Sequence, residues 1–206
     1  MWLLEPLLVP PGGGAGVREG QWGWGTAFFD YDLDGNLDLV MTGGMAILEF
    51  STEPGRLWHG NGDGTFEDRT CTAGWVERRV GRGVVPFDSD GDGDLDLLVT
   101  GSEEEPTLWR NDAAVGHGWL AITLDQPGAN RFAIGAEVTV RATADAQPQL
   151  VPVFANASYV SGRPPIATFG LGDHPGPAHE VMVLWPDGIR SSHAEVGPGS
   201  VTLVHP

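Results

Sequence analysis

The chain has 206 residues, 41% of them hydrophobic, so it can bury a core within one large domain or two small ones. Its 28 acidic side chains outnumber 11 lysines and arginines and give a net charge of −17, which argues against nucleic acid as a partner because phosphate binding needs clustered basic residues. The 31 glycines and 16 prolines predict turns and short strands, and no segment has the apolar period of a long helix.

The N-terminal leader, residues 1–20, begins with the apolar stretch MWLLEPLLVPPGGG. No basic residue precedes this stretch, and Glu5 and Pro6 interrupt it, so we expect neither a signal peptide nor membrane insertion. The chain has one cysteine, Cys71, which excludes an intramolecular disulfide. A lone cysteine is expected to be a small buried hydrophobic residue.

A repeat follows in residues 21–112, where the acidic decapeptides DYDLDGNLDL (30–39) and DSDGDGDLDL (88–97) begin 58 residues apart. The flanking segments also align, GWGTAFFD with GRGVVPFD and NLDLVMTGG with DLDLLVTGS. Each unit therefore predicts a strand, an acidic loop, a strand, a loop and a strand. The second strands are expected at 37–42 and 95–100, and NGDG at 61–64 predicts a hairpin turn.

Both acidic loops have the pattern D-x-D-x-D-G-x-x-D, which suits a metal ion with oxygen ligands. Positions 1, 3 and 5 can converge when the backbone curls, the glycine at position 6 permits a sharp turn, position 7 offers a carbonyl and position 9 closes the shell. Calcium, bound by oxygens at about 2.3–2.6 Å, is the expected ion, at about two sites. The predicted ligands are Asp30, Asp32, Asp34, Asn36 (carbonyl) and Asp38, and Asp88, Asp90, Asp92, Asp94 (carbonyl) and Asp96.

Other interpretations of the loops are less consistent with the sequence. No histidine or cysteine is interleaved with the carboxylates, so zinc and copper are not expected, and magnesium is disfavoured because it keeps its own waters. The loops are not EF-hands, because position 12 is Met41 or Val99 in place of glutamate and a strand follows. The remaining alternative is a pair of Asp- and Gly-rich turns that bind nothing.

The repetition ends near residue 112, and residues 117–206 predict a second, all-β domain. IGAEVTVRA at 134–142 alternates apolar and polar residues, as a half-buried strand does. GHGWLAITL, QLVPVFA, IATFG, EVMVLW and SVTLVHP predict further strands. WPDG at 185–188 predicts a tight turn with proline at its first central position.

The repeat units resemble FG-GAP/VCBS repeats, the blades of integrin-α-like β-propellers, through GTAFFDYDLDGNLDLVMTGG, LWHGNGDGTFEDRT and GRGVVPFDSDGDGDLDLLVTGS. The tail is similar to the ASPIC/UnbV domain through GHGWLAITL, GANRFAIGAEVTV, SYVSGRPPIATFGLG and VMVLWPDG, an order found in cartilage-acidic-protein-like proteins. The resemblance implies an all-β fold: a partial β-propeller-like region of about two blades plus a C-terminal β-sandwich-like domain. Because two blades cannot close a ring, we expect a piece of a longer propeller, assembly with other chains, or packing of the repeats on the tail.

The main functional hypothesis is a non-enzymatic, calcium-binding interaction or adhesion module with a protein or carbohydrate ligand, which the resemblance implies is secreted, periplasmic or on the cell surface. It is motivated by the two loops and by the lack of a catalytic motif such as G-x-S-x-G. The alternative, implied by ASPIC/UnbV proteins of enediyne clusters, is a biosynthetic accessory protein or enzyme with a polar pocket at the repeat–tail junction. A third hypothesis is a structural cap, in which the tail seals the last blade's edge.

Four histidines are weaker candidates. His174 and His179 lie in a proline-rich loop, where a surface position is favoured over metal binding, and His59 and His117 have no apparent partner.

Two further pairs complete the candidate sites. Trp22 and Trp24 are candidates for a carbohydrate-stacking face. Arg131, beside Asn130 in the family motif, is expected to form structural hydrogen bonds or an ion pair.

Overall fold

The computed structural model of the chain describes residues 14–17, 23–44, 54–114, 116–156 and 158–206. These residues form fourteen β-strands and no helix, which confirms the predicted all-β class. The leader, apart from 14–17, and Trp22 lie outside the described residues. Within the described ranges, no helix is long and apolar enough to cross a membrane.

The first repeat unit is an antiparallel sheet of four sequential strands: β1 (Thr26–Phe29), β2 (Asp38–Met41), β3 (Arg56–Gly60) and β4 (Phe66–Asp68). The strand predicted at 37–42 is β2, and the turn predicted at 61–64 lies between β3 and β4. The repeat pattern predicts three strands per unit. The fourth, β4, has only three residues, two of them charged, so it shows no apolar period.

The second repeat unit is a sheet of three sequential strands: β5 (Gly81–Phe87), β6 (Asp96–Gly101) and β7 (Thr107–Trp109). The strand predicted at 95–100 is β6. The two units pack through β1 and β5 around a small core that includes Phe29, Val40 and Val84. Their described sheets do not close into a ring, as predicted for about two blades. Cys71, expected to be buried, is exposed in the turn after β4.

The tail continues with β8 (Gly118–Asp125), β9 (Glu137–Arg141), β10 (Gln149–Pro152), β11 (Ile166–Gly172), β12 (Ala178–Leu184), β13 (Arg190–Val196) and β14 (Gly199–Val204). One sheet has the order β11-β8-β14 and the other β10-β9-β12-β13. Strands β8 and β14 are parallel, and the other neighbours are antiparallel.

The inward faces of the two tail sheets form the larger core, as expected for a β-sandwich. Every second residue of β8 is buried, including Leu120, Ile122 and Leu124. Trp185 is buried at the predicted turn, which Gly188 closes by donating its N–H to the Trp185 carbonyl over 2.9 Å. Strand β13 carries no fully buried residue, which explains why its sequence gave no apolar signal.

Candidate metal centres

Each acidic loop connects adjacent strands of one blade, β1 to β2 or β5 to β6. The Asp at position 1 follows the first strand, and the Asp at position 9 begins the second. The glycines at position 6, Gly35 and Gly93, have φ angles of 94° and 101°, which L side chains rarely adopt. This turn brings together the carboxylates of positions 1, 3 and 5, and one oxygen from each lies within 4.8 Å of the others in its loop: Asp30, Asp32 and Asp34, and Asp88, Asp90 and Asp92.

The Asp at position 9 fastens each loop to the rest of its blade. Asp38 Oδ2 accepts a hydrogen bond from the Tyr31 N–H, and Oδ1 accepts one from the Gly60 N–H, each over 2.8 Å. Asp96 accepts the equivalent bonds from the N–H groups of Ser89 (3.1 Å) and Asn111 (2.7 Å). Asp38 and Asp96 are buried, so these bonds stabilise the loops independently of any ion.

The Asp at position 1 lies at the centre of each curled loop. Asp30 accepts hydrogen bonds from the N–H groups of Asp34 (3.1 Å) and Gly35 (2.9 Å). Asp88 accepts them from Gly91 (2.7 Å) and Gly93 (3.2 Å). A carboxylate has about four lone-pair positions, so these residues retain acceptor capacity for a cation.

Position 7 differs between the loops. The Asn36 side chain donates to Asp34 Oδ2 over 3.0 Å, whereas Asp94 places a second carboxylate beside Asp92. Oδ1 of Asp94 is buried and forms no hydrogen bond with any described residue. The use of the position 7 carbonyls as ligands stays a prediction.

The metal-free loops concentrate negative charge in partly buried positions. Burial, reinforced by neighbouring carboxylates, raises the pKa of Asp30 to about 8 and that of Asp38 to about 7. Burial and the adjacent Asp92 raise the pKa of Asp94 to about 7. Asp32 Oδ1, like Asp94 Oδ1, is buried without a hydrogen-bond partner among the described residues. Crowded carboxylates with unpartnered oxygens are a donor set that fits a hard divalent cation such as calcium.

His59 lies in the first loop's cluster, although it is not interleaved with the carboxylates in the sequence, and this corrects the expectation that it has no partner. Its Nδ1 is 3.2 Å from Asp38 Oδ1 and 3.5 Å from Asp32 Oδ2, and its Nε2 is 3.7 Å from Asp34 Oδ2. The pairing of β2 with β3 places it there, across 21 residues from Asp38. One sequence signal could have indicated this position: LWHG aligns with LWRN, so His59 and Arg110 occupy equivalent positions in the two repeat units.

The first acidic loop packs directly on the tail. The Gly172 N–H donates to the Leu33 carbonyl over 2.9 Å, and His117 Nδ1 lies 2.7 Å from the Asp32 carbonyl oxygen, so His117 also has a partner. Gly170 of β11 approaches so closely that a Cβ there would lie 2.2 Å from Asp30 Oδ2. The repeats therefore pack on the tail, one of the three arrangements expected for two blades.

The second acidic loop also touches the tail. A Cβ on Gly93 would lie 2.1 Å from the ring of Trp119 in β8, so only glycine fits beneath that indole. Both loops thus lie at the interface between the repeat region and the sandwich. Among the described residues, hydrogen bonds cross this interface at two places. They join the first loop to the tail, and they join Thr26, the first residue of β1, to Ser158. Within the described part of the chain, none involves the outer strand β7.

A pocket of about 160 Å³ lies between the two loops and the tail. Its wall is largely aromatic and aliphatic, and its polar lining consists of two carboxylates, one guanidinium and two hydroxyls: Asp30, Asp88, Arg163, Thr168 and Ser200. The Arg163 Nε is buried and forms no hydrogen bond with the described residues. A wider cleft of about 760 Å³ runs beside the first loop, between the β3–β4 hairpin and the tail.

The remaining candidates contact neighbouring residues within the described part of the chain. The Trp24 ring lies 5.3 Å from the Tyr159 ring and 4.5 Å from the Arg82 guanidinium, and the carbohydrate-stacking face stays a prediction. His174 contacts the Pro177 carbonyl and His179 lies 3.6 Å from a Glu195 oxygen, and neither belongs to a cluster of potential metal ligands among the described residues.

The motif pair of the tail is structural, as expected. Arg131 forms an exposed ion pair with Asp125 over 3.2 Å. Asn130 exchanges two hydrogen bonds with the backbone of Ile134, each over 2.9 Å.

Comparison with known proteins confirms the resemblance drawn from the motifs. Residues 45–99 match the FG-GAP-like repeat family, and residues 126–206 match the ASPIC and UnbV family. The chain is similar to cartilage acidic protein 1 of Homo sapiens, at 30% identity over 85% of this chain, and of Mus musculus, at 30% over 80%. It is also similar to cartilage acidic protein 1 of Xenopus tropicalis, at 32% over 52% of this chain.

The extent of these matches matters for the two loops. The chain spans 26% of the length of the human and mouse relatives and 16% of the Xenopus relative. The FG-GAP-like match includes the second acidic loop, whereas the first loop lies before residue 45. The ASPIC and UnbV match begins at residue 126, just after β8, although β8 is the central strand of a tail sheet. The division at residues 112–117 stays a prediction.

Proposed function

We propose that this chain is a calcium-binding extracellular interaction module in which the two acidic loops fasten the repeat region to the tail. The single observation that carries the proposal is the position of both carboxylate clusters against the tail sandwich. The similarity to proteins named for cartilage supports an extracellular setting.

The residues have distinct parts in this proposal. The carboxylates at positions 1, 3 and 5 hold the ion, with position 9 supplying a lone pair beyond those its backbone donors use. Asp32 and Asp94 have buried oxygens that lack partners among the described residues, so a cation would satisfy them. Bound calcium would neutralise the crowded carboxylates, and the loops would then hold the conformation in which Leu33 and Asp32 bond to the tail.

Calorimetric titration of the chelator-treated chain tests the proposal. We expect about two calcium ions per chain, and Asp32→Asn and Asp90→Asn should each remove one of them. Asp145→Asn, which removes an exposed charge outside both loops, is the matched control and should leave both ions bound. Binding of no calcium, or losses equal in all three variants, would exclude the loops as calcium sites.

A second candidate function is the binding of a small ligand in the junction pocket, the place that the biosynthetic alternative requires. Arg163 favours it, since burial lowers the pKa of this guanidinium and no described residue forms an ion pair with it. The volume of about 160 Å³ is below the roughly 300–1,000 Å³ usual for ligand pockets, which favours a small anionic molecule. A soak with short-chain carboxylates should place one beside Arg163, and an empty pocket at saturating concentration would count against this function.

A further inference from the structure

His59 distinguishes the first acidic loop from the second in ligand chemistry. Strand β3 carries His59 next to β2, whose first residue is Asp38. One ligand atom each from Asp32, Asp38 and His59 lies within 4.8 Å of the others. The second loop has Arg110 at this place, and its guanidinium bonds to Asp112 over 2.9 Å. A guanidinium cannot bind a cation, so only the first loop contains a nitrogen ligand.

Asp38 Oδ1 accepts the Gly60 N–H over 2.8 Å, whereas His59 and Asp32 each have one buried atom without a hydrogen bond. His59 Nδ1 and Asp32 Oδ1 are buried, and neither forms a hydrogen bond with the described residues. The imidazole is held in place by Tyr31, whose ring meets it edge-on with centroids 6.2 Å apart. Its other nitrogen lies 3.7 Å from Asp34 Oδ2, a carboxylate that belongs to the oxygen ligands of the same loop. A buried nitrogen and a buried oxygen without hydrogen bonds, on two side chains of one ligand cluster, favour a cation at this place.

The spacing suits a tetrahedral transition-metal ion. Two ligands at about 2.0–2.2 Å from such an ion lie roughly 3.3–3.6 Å apart. The distances from Nδ1 to the carboxylate oxygens of Asp38 and Asp32 are 3.2 and 3.5 Å. Imidazole nitrogen favours zinc, cobalt and related ions, whereas calcium takes oxygen ligands alone.

We propose that Asp32, Asp38 and His59 form a mixed nitrogen–oxygen centre that binds a divalent first-row transition-metal ion, such as Zn²⁺ or Co²⁺, more tightly than calcium. The second loop, with oxygen ligands alone, takes calcium. This inference rests on the proposed function, in which both loops bind calcium when no transition-metal ion is present, and it gives the first loop a different preferred ion. It replaces the sequence-based interpretation in which zinc is not expected at these loops.

Cobalt titration of the full, chelator-treated chain tests the proposal, with calcium present to fill the second loop. We expect one Co²⁺ per chain, visible through the absorption bands of the bound ion. His59→Gln should weaken cobalt binding by at least about tenfold, because even loss of an outer group that only orients a metal ligand costs about 10–100-fold in affinity. His179→Gln is the matched control, because His179 lies outside the cluster, and it should bind cobalt as the wild type does.

The outcomes separate this inference from the proposed function. Cobalt binding that is absent, or that survives His59→Gln, overturns the mixed centre, and if calcium still binds to both loops the proposed function stands. If neither cobalt nor calcium binds, both fail. If His59→Gln does not fold, NMR of the histidine side chains in the wild type provides the test. One equivalent of Zn²⁺ should shift the signals of a single imidazole, the one that contacts Tyr31. A shift of another ring, or of none, overturns the proposal.

Discussion

At the residue scale, Asp32 and Asp38 make different contacts although both are carboxylates of one loop. Both oxygens of Asp38 accept backbone N–H groups, whereas Oδ1 of Asp32 is buried without a hydrogen-bond partner among the described residues. A carboxylate that holds backbone donors stabilises the fold with or without an ion. A buried carboxylate oxygen that lacks a donor is repelled by the neighbouring carboxylates until a cation binds.

We predict that Asp32→Asn removes most of the stabilisation by calcium at the first loop and changes the stability in EDTA little. Asp38→Ala is the comparison: it leaves two N–H groups unpaired, at about 1–3 kcal/mol each, and should destabilise the protein in both solutions. Urea unfolding with calcium and with EDTA measures both effects. Equal losses for Asp32→Asn in the two solutions would show that its role is not metal binding.

The buried carboxyls also predict how stability depends on pH. In the metal-free protein the pKa values of Asp30 and Asp38 are about 8 and about 7, against 3.8 for an ordinary Asp. Between pH 3.8 and about 8 the folded state therefore binds more protons than the unfolded chain, so the free energy of unfolding falls as pH rises. The carboxyls with lowered pKa values act in the opposite sense but only below pH 3.8: Asp63, Asp68, Asp92 and Asp187.

We therefore expect the protein in EDTA to unfold at lower urea concentration at pH 8 than at pH 5. Calcium should reduce this difference, because it competes with protons for the same oxygens and binds best when they are ionised. Unfolding midpoints at the two pH values, with and without calcium, provide the measurement. Greater stability in EDTA at pH 8 would mean that these carboxyls ionise without penalty.

The sequence predicted the converging aspartates but not the histidine beside them. Positions 1, 3 and 5 are local, so their spacing alone indicates that they meet. His59 is 27 residues from Asp32, and only the pairing of β2 with β3 brings them together. Among the described residues, Asp38 accepts backbone N–H groups and Asp32 does not. This difference also depends on the fold, because the folded blade decides which N–H groups reach each carboxylate.

At the element scale, the contact between the loops and the tail depends on glycine. Gly170 in β11 lies against the first loop, and a Cβ there would be 2.2 Å from Asp30 Oδ2 and 2.4 Å from the Leu33 carbonyl carbon. The Leu33 atom belongs to the backbone, so a side chain at residue 170 would require the backbone of the loop to move. The first loop and β11 therefore pack in direct contact, with no space for a side chain at residue 170.

We predict that Gly170→Ala destabilises the protein by roughly 1–3 kcal/mol and weakens calcium binding at the first loop, because the added methyl displaces Asp30 and Leu33. Gly197→Ala is the matched control, since a Cβ at Gly197 meets no atom within 4 Å. Thermal melts and calcium titrations of both variants give the comparison. A Gly170→Ala protein with wild-type stability and affinity would show that the loop and tail do not pack this closely.

The sequence predicted strands that carry an apolar pattern and missed those that do not. Strands β2, β6 and β9 were found from aliphatic runs or alternation, and β8 buries every second residue. Strands β4 and β13 are edge strands with mostly polar residues, held by backbone hydrogen bonds to a neighbour. Backbone hydrogen bonds do not depend on the side chains, so the sequence of these two strands carries no pattern that predicts them.

At the scale of the whole molecule, two cores of different size meet at the acidic loops. The tail has a large core between its two sheets, whereas the blades share a smaller cluster around Phe29, Val84 and Trp75. Two blades bury little by themselves, and the loops that join their strands rest on the tail. Cations in those loops would therefore stabilise both the blades and their attachment to the sandwich.

The most direct test of this account is a thermal melt of the wild type and of the Asp32→Asn/Asp90→Asn double variant, each in calcium and in EDTA. Calcium at about 100 times its Kd contributes about 2.7 kcal/mol per site. For a chain of this size 1 kcal/mol shifts Tm by about 2–4 °C, so the wild type should melt at least about 5 °C higher in calcium. The double variant should show no such shift. Equal Tm values for the wild type in the two solutions, or a full shift in the double variant, would contradict the claim that these loops are filled calcium sites.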